Sequence, residues 1–89
     1  MSWDYRIEES AIRDLSKLGP AAPSEILNFL DTRIRGAGDP EMFGKPLRGR
    51  LKGLWRYRVR DWRLLCRLER SVLIVVVVEV GHRSTICDD

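Results

Sequence analysis

Histidine occurs once in the 89 residues and cysteine twice. His82, Cys66 and Cys87 are too few for a four-ligand zinc site, and two cysteines cannot build a disulfide framework. Long apolar runs are also missing. The longest, residues 72–78, falls far short of the roughly 20 residues that a membrane-spanning helix needs. The opening MSWDYRIEES places no apolar stretch ahead of its acids, so no secretion signal is expected. Seven glycines and four prolines are too sparse for a collagen-like or low-complexity chain. No P-loop or dinucleotide fingerprint occurs, so no cofactor is expected. What remains is a 44% hydrophobic, 33% charged chain of the size of a single domain, 1–89. The expectation is a small soluble cytoplasmic protein with no membrane partner.

Acid is scarce in one place. From Lys45 to Arg67 nine basic residues face a single acid, Asp61, a net of +8. Residues 1–44 hold five basic and eight acidic side chains, and residues 68–89 hold two and four. A basic tract inside an otherwise acidic chain is the electrostatic footprint of a polyanion site. Seven of the nine are arginine, whose planar fork matches phosphate oxygens.

Alternation of Trp3, Tyr5 and Ile7 around Asp4 and Arg6 predicts a short first strand. Ala11, Ile12, Leu15 and Leu18 recur at helical spacing, with Ser10 as N-cap and Gly19-Pro20 as the stop. Pro23 suits the first turn of a second helix, with Ile26, Leu27, Leu30 and Ile34 as its apolar stripe. Gly36 stands where a C-terminal cap belongs. The short link argues for an antiparallel helical hairpin. Residues 37–53, rich in glycine and proline, read as a long loop, and a loop of that length is usually functional or mobile.

The second half is strand-like. A two-residue turn at Arg60-Asp61 pairs Val59 with Trp62, Arg58 with Arg63, Tyr57 with Leu64 and Trp55 with Cys66. In that register apolar residues meet apolar partners. Trp55, Tyr57 and Trp62 then belong to the core, while Arg56, Arg58, Arg63 and Arg67 share the opposite face. Like charges directly opposite destabilise a sheet, so Arg58 facing Arg63 makes sense if an anion sits between them. The run Val72 to Val80 is apolar on both faces, which leaves its phase open. A three-residue loop at Glu69-Arg70-Ser71 would set Val75 and Val77 beside the arginine face, with Glu79 and Arg83 further along. A two-residue loop would reverse this; the three-residue loop is preferred because it gathers Arg83 with the other arginines.

Four motifs in order, Gly44-Lys45-Pro46-Leu47, Gly53-Leu54-Trp55-Arg56-Tyr57-Arg58-Val59, Asp61-Trp62-Arg63-Leu64-Leu65 and Val80-Gly81-His82-Arg83, resemble the RelE/ParE superfamily, the toxins of bacterial type II toxin–antitoxin pairs. The N-terminal strand and the Ala11-Ile12-Arg13-Asp14-Leu15-Ser16-Lys17-Leu18 helix fit the same pattern. The resemblance implies an α+β fold, with an N-terminal strand and antiparallel helical hairpin packed on a small curved, mainly antiparallel sheet. It implies a cognate antitoxin as partner, one that wraps the toxin with an extended segment that folds on contact.

RelE-like members cut messenger RNA on the ribosome; ParE-like members share the fold and poison DNA gyrase without nuclease activity. Carried over one position at a time, the nuclease residues fall on Arg56, Arg58, Arg63 and Arg83. The position of a frequent catalytic tyrosine holds Cys87, and arginine stands at 56 and 58 where some relatives place lysine. The leading expectation is therefore a metal-independent endoribonuclease that inhibits translation. The alternatives are a gyrase inhibitor or a degenerate toxin that only binds its antitoxin. In the nuclease reading the ribose 2′-OH attacks its neighbouring phosphate, which requires a base, cations and a donor to the leaving oxygen. Arg58 and Arg63 suit the phosphate clamp and Arg83 the leaving group. Arginine is a poor base. His82 is the one side chain with ordinary titration near neutrality, though alternation turns it away from Arg83; Glu79 is the second candidate base. Cys87 lacks a base partner. Lys45, Arg48, Arg50 and Lys52, with Arg67, are candidates for following the RNA backbone.

Overall fold

The computed structural model describes residues 2–82; Arg83 and Cys87 lie outside them. Strand β1 (Asp4–Ile7) leads into helices α1 (Glu9–Lys17) and α2 (Ala21–Phe29). α2 continues as a π-helical turn, Leu30–Ile34. A 3-10 turn at Pro40–Phe43 is followed by β2 (Gly44–Pro46) and a second 3-10 turn at Gly49–Leu51. Three strands complete the fold: β3 (Trp55–Val59), β4 (Trp62–Glu69) and β5 (Ile74–His82). The sheet order is β1-β5-β4-β3-β2. Only β1 and β5 run parallel; every other neighbour pair is antiparallel. This is the expected α+β architecture.

One sheet face packs on the helices. Tyr57, Leu64, Cys66, Val75 and Val77 are fully buried there with Ala11, Ala22, Ile26, Leu30 and Ile34, and Trp55, Trp62 and Leu68 pack against that core. Ile12 and Leu27, expected in the helical stripes, are instead 53% and 39% exposed. Short helices lying on a narrow sheet bury a thinner stripe than the spacing suggests. The π turn keeps both Leu30 and Ile34 inward, closing with Arg35 N–H donating to the Leu30 carbonyl at 2.9 Å. Gly36 then takes φ +81° and donates its N–H to Trp3 at 2.7 Å, a left-handed exit that glycine makes without strain.

The hairpin register is the one that apolar pairing dictates: Val59 opposite Trp62, Arg58 opposite Arg63, Tyr57 opposite Leu64, Trp55 opposite Cys66. Arg60 turns the chain with φ 55°. Its side chain reaches Glu25 of α2 at 2.9 Å, and the Trp62 indole donates to the same carboxylate at 2.9 Å. A polar tie thus locks the turn to the helix.

The third strand departs from the preferred phase. Glu69 pairs with Ile74, so four residues rather than three make the connection, and Val75 and Val77 point into the core instead of lying beside the arginines. The register then slips: Cys66 pairs with Val77, but Leu65 pairs with Glu79. Val78 is the extra residue of this β-bulge, and it returns Glu79 to the arginine face. Beyond Ile7, β5 has no strand neighbour on the β1 side among the described residues. There α1 takes over: Ser10 Oγ donates to the Val78 carbonyl at 2.8 Å and Asp14 accepts from the Val80 N–H at 3.0 Å. Ser10 is therefore not the N-cap. Glu8 holds that position, and the serine hydroxyl satisfies an open sheet edge instead.

Residues 37–53 are less loop-like than their composition suggests, since Gly44–Pro46 pair with β3. A Cβ at Gly44 would collide with the Arg56 carbonyl and lie 2.8 Å from ring carbons of Trp55 and Tyr57. The preceding turn is anchored by a buried hydrogen bond from the Tyr57 hydroxyl to the Pro40 carbonyl, 2.9 Å. Leu47 and Leu65 form a second small core on the arginine side of the sheet, joined by Leu51, Leu54 and Val78.

Candidate nucleic-acid interface

Alternation along β3 puts Arg56 and Arg58 on the sheet face away from the helices, and cross-strand pairing brings Arg63 and Lys45 to the same face. Arg63 stands opposite Arg58 and Lys45 opposite Arg56. Lys45 was expected in a loop; it sits on a strand, in register with the cluster. Exposure grades across the group. Arg56 is only 8% exposed, Arg63 is half-buried, and Arg58 and Lys45 are exposed. Arg58 and Lys45 have no carboxylate partner among the described residues, so their full charge faces outward.

Arg58 lines two grooves at once. One, of about 240 Å³, runs past Met42, Phe43, Lys45 and Arg56. The other, of about 590 Å³, lies between α2 with its π turn and the end of β3. The Arg33 guanidinium lies 5.9 Å from the centroid of the Phe43 ring, linking the walls of the two grooves. Arg48, Arg50 and Lys52 are exposed on the segment after β2, beside this face.

Arg67 stands apart. Its guanidinium is held by Glu8 at 3.1 Å and Glu69 at 3.3 Å. Those hydrogen bonds, Glu8 first, raise its pKa further. His82 lies opposite Trp62 and meets that indole edge-on, ring centroids 5.7 Å apart. This places the histidine on the helix side of the sheet, away from the arginine cluster. Glu79 lies on the arginine side, opposite Leu65 and exposed. Among the described residues, no group of three or more histidine, cysteine, aspartate or glutamate side chains is gathered as a metal site. None of the described helices is long and apolar enough to cross a membrane.

The face has the makings of a phosphate-binding surface: guanidiniums at graded depth, a lysine beside them and grooves on either side. Residues 5–86 match the family described as the ParE toxin of type II toxin–antitoxin systems. The chain belongs to the RelE/ParE superfamily of toxins. This RelE/ParE toxin is 34% identical over 86 residues to Toxin RelG of Mycobacterium tuberculosis, covering 97% of each chain. Its fold is similar to the toxin in the RelBE2 toxin–antitoxin complex of the same organism, with TM-score 0.83, 32% identity, and coverage of 93% of this chain and all of that one. The archaeal RelE–RelB complex of Pyrococcus horikoshii shares the fold at TM-score 0.67 and 20% identity, covering 97% of this chain and all of the other.

The large groove along α2 escaped the sequence reading. Ser24, Asn28 and Thr32 line it, three polar residues outside the apolar stripe of Ile26, Leu27, Leu30 and Ile34. Their spacing of four is the one signal that marks them as a stripe.

Proposed function

We propose that this RelE/ParE toxin is an endoribonuclease that cuts messenger RNA on the ribosome, with a cognate antitoxin as its physiological partner. The observation that carries the reading is the shared strand face, on which Arg58 stands opposite Arg63 and Lys45 opposite Arg56, with Arg58 and Lys45 exposed to meet a phosphate. Arg58 and Arg63 hold the scissile phosphate and oppose the charge that grows on it in the transition state. The 2′-oxygen bonds to phosphorus as the bond to the 5′-oxygen breaks, leaving a 2′,3′-cyclic phosphate and a 5′-hydroxyl. Glu79 is the proton acceptor on the correct face, whereas His82 is on the other side of the sheet. Arg83 is proposed to oppose the charge on the leaving 5′-oxygen, which takes its proton from solvent. Arg56, nearly buried beneath Lys45 and Arg58, sets the local potential, and Arg48, Arg50 and Lys52 follow the backbone of the RNA. Toxin RelG and the RelBE2 complex support assignment to a toxin–antitoxin pair.

A second reading, gyrase inhibition, is favoured by the match to the ParE family and by the placement of His82 away from the arginines. Mapping of RNA 5′ ends after induced expression separates the two. Discrete cuts inside translated codons support the nuclease; intact messages with gyrase-trapped DNA breaks support the inhibitor.

A further inference from the structure

The groove of about 590 Å³ between α2 and the end of β3 falls within the roughly 300–1,000 Å³ range of ligand sites. Its two walls differ in chemistry. The helix wall presents Ser24, Asn28 and Thr32, uncharged hydrogen-bonding groups at successive spacings of four. Thr32 Oγ1 donates to the Asn28 main-chain carbonyl at 2.7 Å, while the Asn28 side-chain amide has no hydrogen-bond partner among the described residues and lines the groove. The π turn carries Thr32 and Arg33, and such widened turns recur at functional sites. The strand wall is Arg58 and Val59, residues of β3 that extend past the end of β2, whose pairing covers only residues 55–57.

Charge decides the class of occupant. Arg33, Arg58 and Arg60 line the groove against one carboxylate, Glu25, and that carboxylate is already held by Arg60 and the Trp62 indole. The surplus is cationic. A peptide adding itself to the sheet would find only two unpaired residues of β3, too short for a strand. A nucleotide needs no such edge. The smaller groove on the far side of Arg58 offers Phe43 and Met42, the latter 73% exposed, as apolar surfaces for a stacked base.

We infer that the two grooves form one dinucleotide site, and that the α2 groove is its base-reading half. A phosphodiester rests on Arg58. One flanking base lies against Phe43 and Met42; the other enters the α2 groove, where the Asn28 amide reads its hydrogen-bonding edge. A side-chain amide can donate and accept at once, the pattern suited to an adenine edge. Asn28 is thus a specificity-determining residue. The inference rests on the nuclease reading for its place in a reaction, but binding in the groove is measurable without cleavage.

The test has two arms. Asn28→Ala and Asn28→Gln toxins are induced in cells beside wild type and a remote control, Lys17→Ala, and the cut sites are sequenced. Separately, ¹⁵N-labelled wild-type toxin is titrated with 2′-O-methyl trinucleotides, which cannot be cleaved, while the Asn28 side-chain amide is followed by NMR. The expected result is an Asn28 amide shift on titration, and a loss of about 10- to 100-fold in preference at one base position for both Asn28 variants. Lys17→Ala should retain the wild-type pattern. If wild type cuts RNA but both Asn28 variants keep its base preference, the base-reading groove is overturned while the nuclease stands. If wild type cuts nothing yet the trinucleotide shifts Asn28, the nuclease reading falls and the groove remains a nucleotide site. An Asn28 amide that ignores every trinucleotide and moves only when an antitoxin is added makes the groove a protein interface and overturns the inference.

Discussion

Arg56 and Arg58 are two positions apart on one strand, yet the first is 8% exposed and the second open to solvent. The difference follows the reach of β2, which pairs alongside the Arg56 end of β3 and stops before Arg58. If Arg58 and Arg63 hold the transition-state phosphate, Arg58→Ala or Arg63→Ala should lower message cleavage by about 10²–10³, as loss of a transition-state donor does. Thermal stability of Arg58→Ala should hold or rise, because that exposed side chain leaves a like-charge pair. Well-folded variants that remain fully toxic would shift the assignment to gyrase. Arg67 makes the contrast. With its charge held between Glu8 and Glu69, Arg67→Ala should leave cleavage within about twofold of wild type and change stability by less than about 1 kcal/mol, as exposed ion pairs do. Cleavage counts and melting curves for the same preparations check both statements. Both arginine roles were open to a sequence reading only in part. Alternation put Arg67 on the same strand face as the others, but the carboxylate that captures it, Glu8, lies 59 residues away in the chain.

The smallest strand controls the most. β2 is three residues long, and Gly44 lets it approach β3 with no room for a side chain. Gly44→Ala should therefore cost about 1–3 kcal/mol by overpacking, and it should also displace Lys45 and weaken RNA binding; urea unfolding alongside an RNA-binding isotherm measures the two effects together. Composition concealed this strand, since Gly-Lys-Pro resembles loop chemistry and proline is tolerated only at a sheet edge. The β3–β4 hairpin was legible because each apolar residue has an apolar partner in only one register. The phase of β5 was not, because a run of valines satisfies either face and the bulge at Val78 changes the phase midway. The candidate site divides along the same line. The arginines were readable from period two, while the α2 groove requires knowing that a polar helix stripe faces a strand end rather than water.

For the molecule as a whole, burial holds two acidic hydrogens in place. The Cys66 thiol and the Tyr57 hydroxyl are both pushed well above their ordinary pKa by desolvation. The folded state keeps these protons at a pH where the unfolded chain sheds them, so stability is fully present below about pH 8.5 and declines above it. The slope should approach about 1.4 kcal/mol per pH unit once free cysteine ionises and steepen above about pH 10 as tyrosine joins. Cys66→Ala should remove the first segment of that decline, and chemical denaturation between pH 7 and 10.5 would show it. Topology adds a consequence in time. β5 sits between β1 and β4, yet it is made last of the five strands, and Asp4 must wait for Ile74, its partner. Such distant pairings put a domain among the slower folders, in the millisecond-to-second range rather than microseconds. A nascent chain lacking residues 74–82 has a first strand with no neighbour and a helical hairpin with half a sheet beneath it. The strand at the centre of the β1-β5-β4 trio is thus the last of the five to be made, so β1 and β4 gain their common neighbour only once residues 74–82 are available.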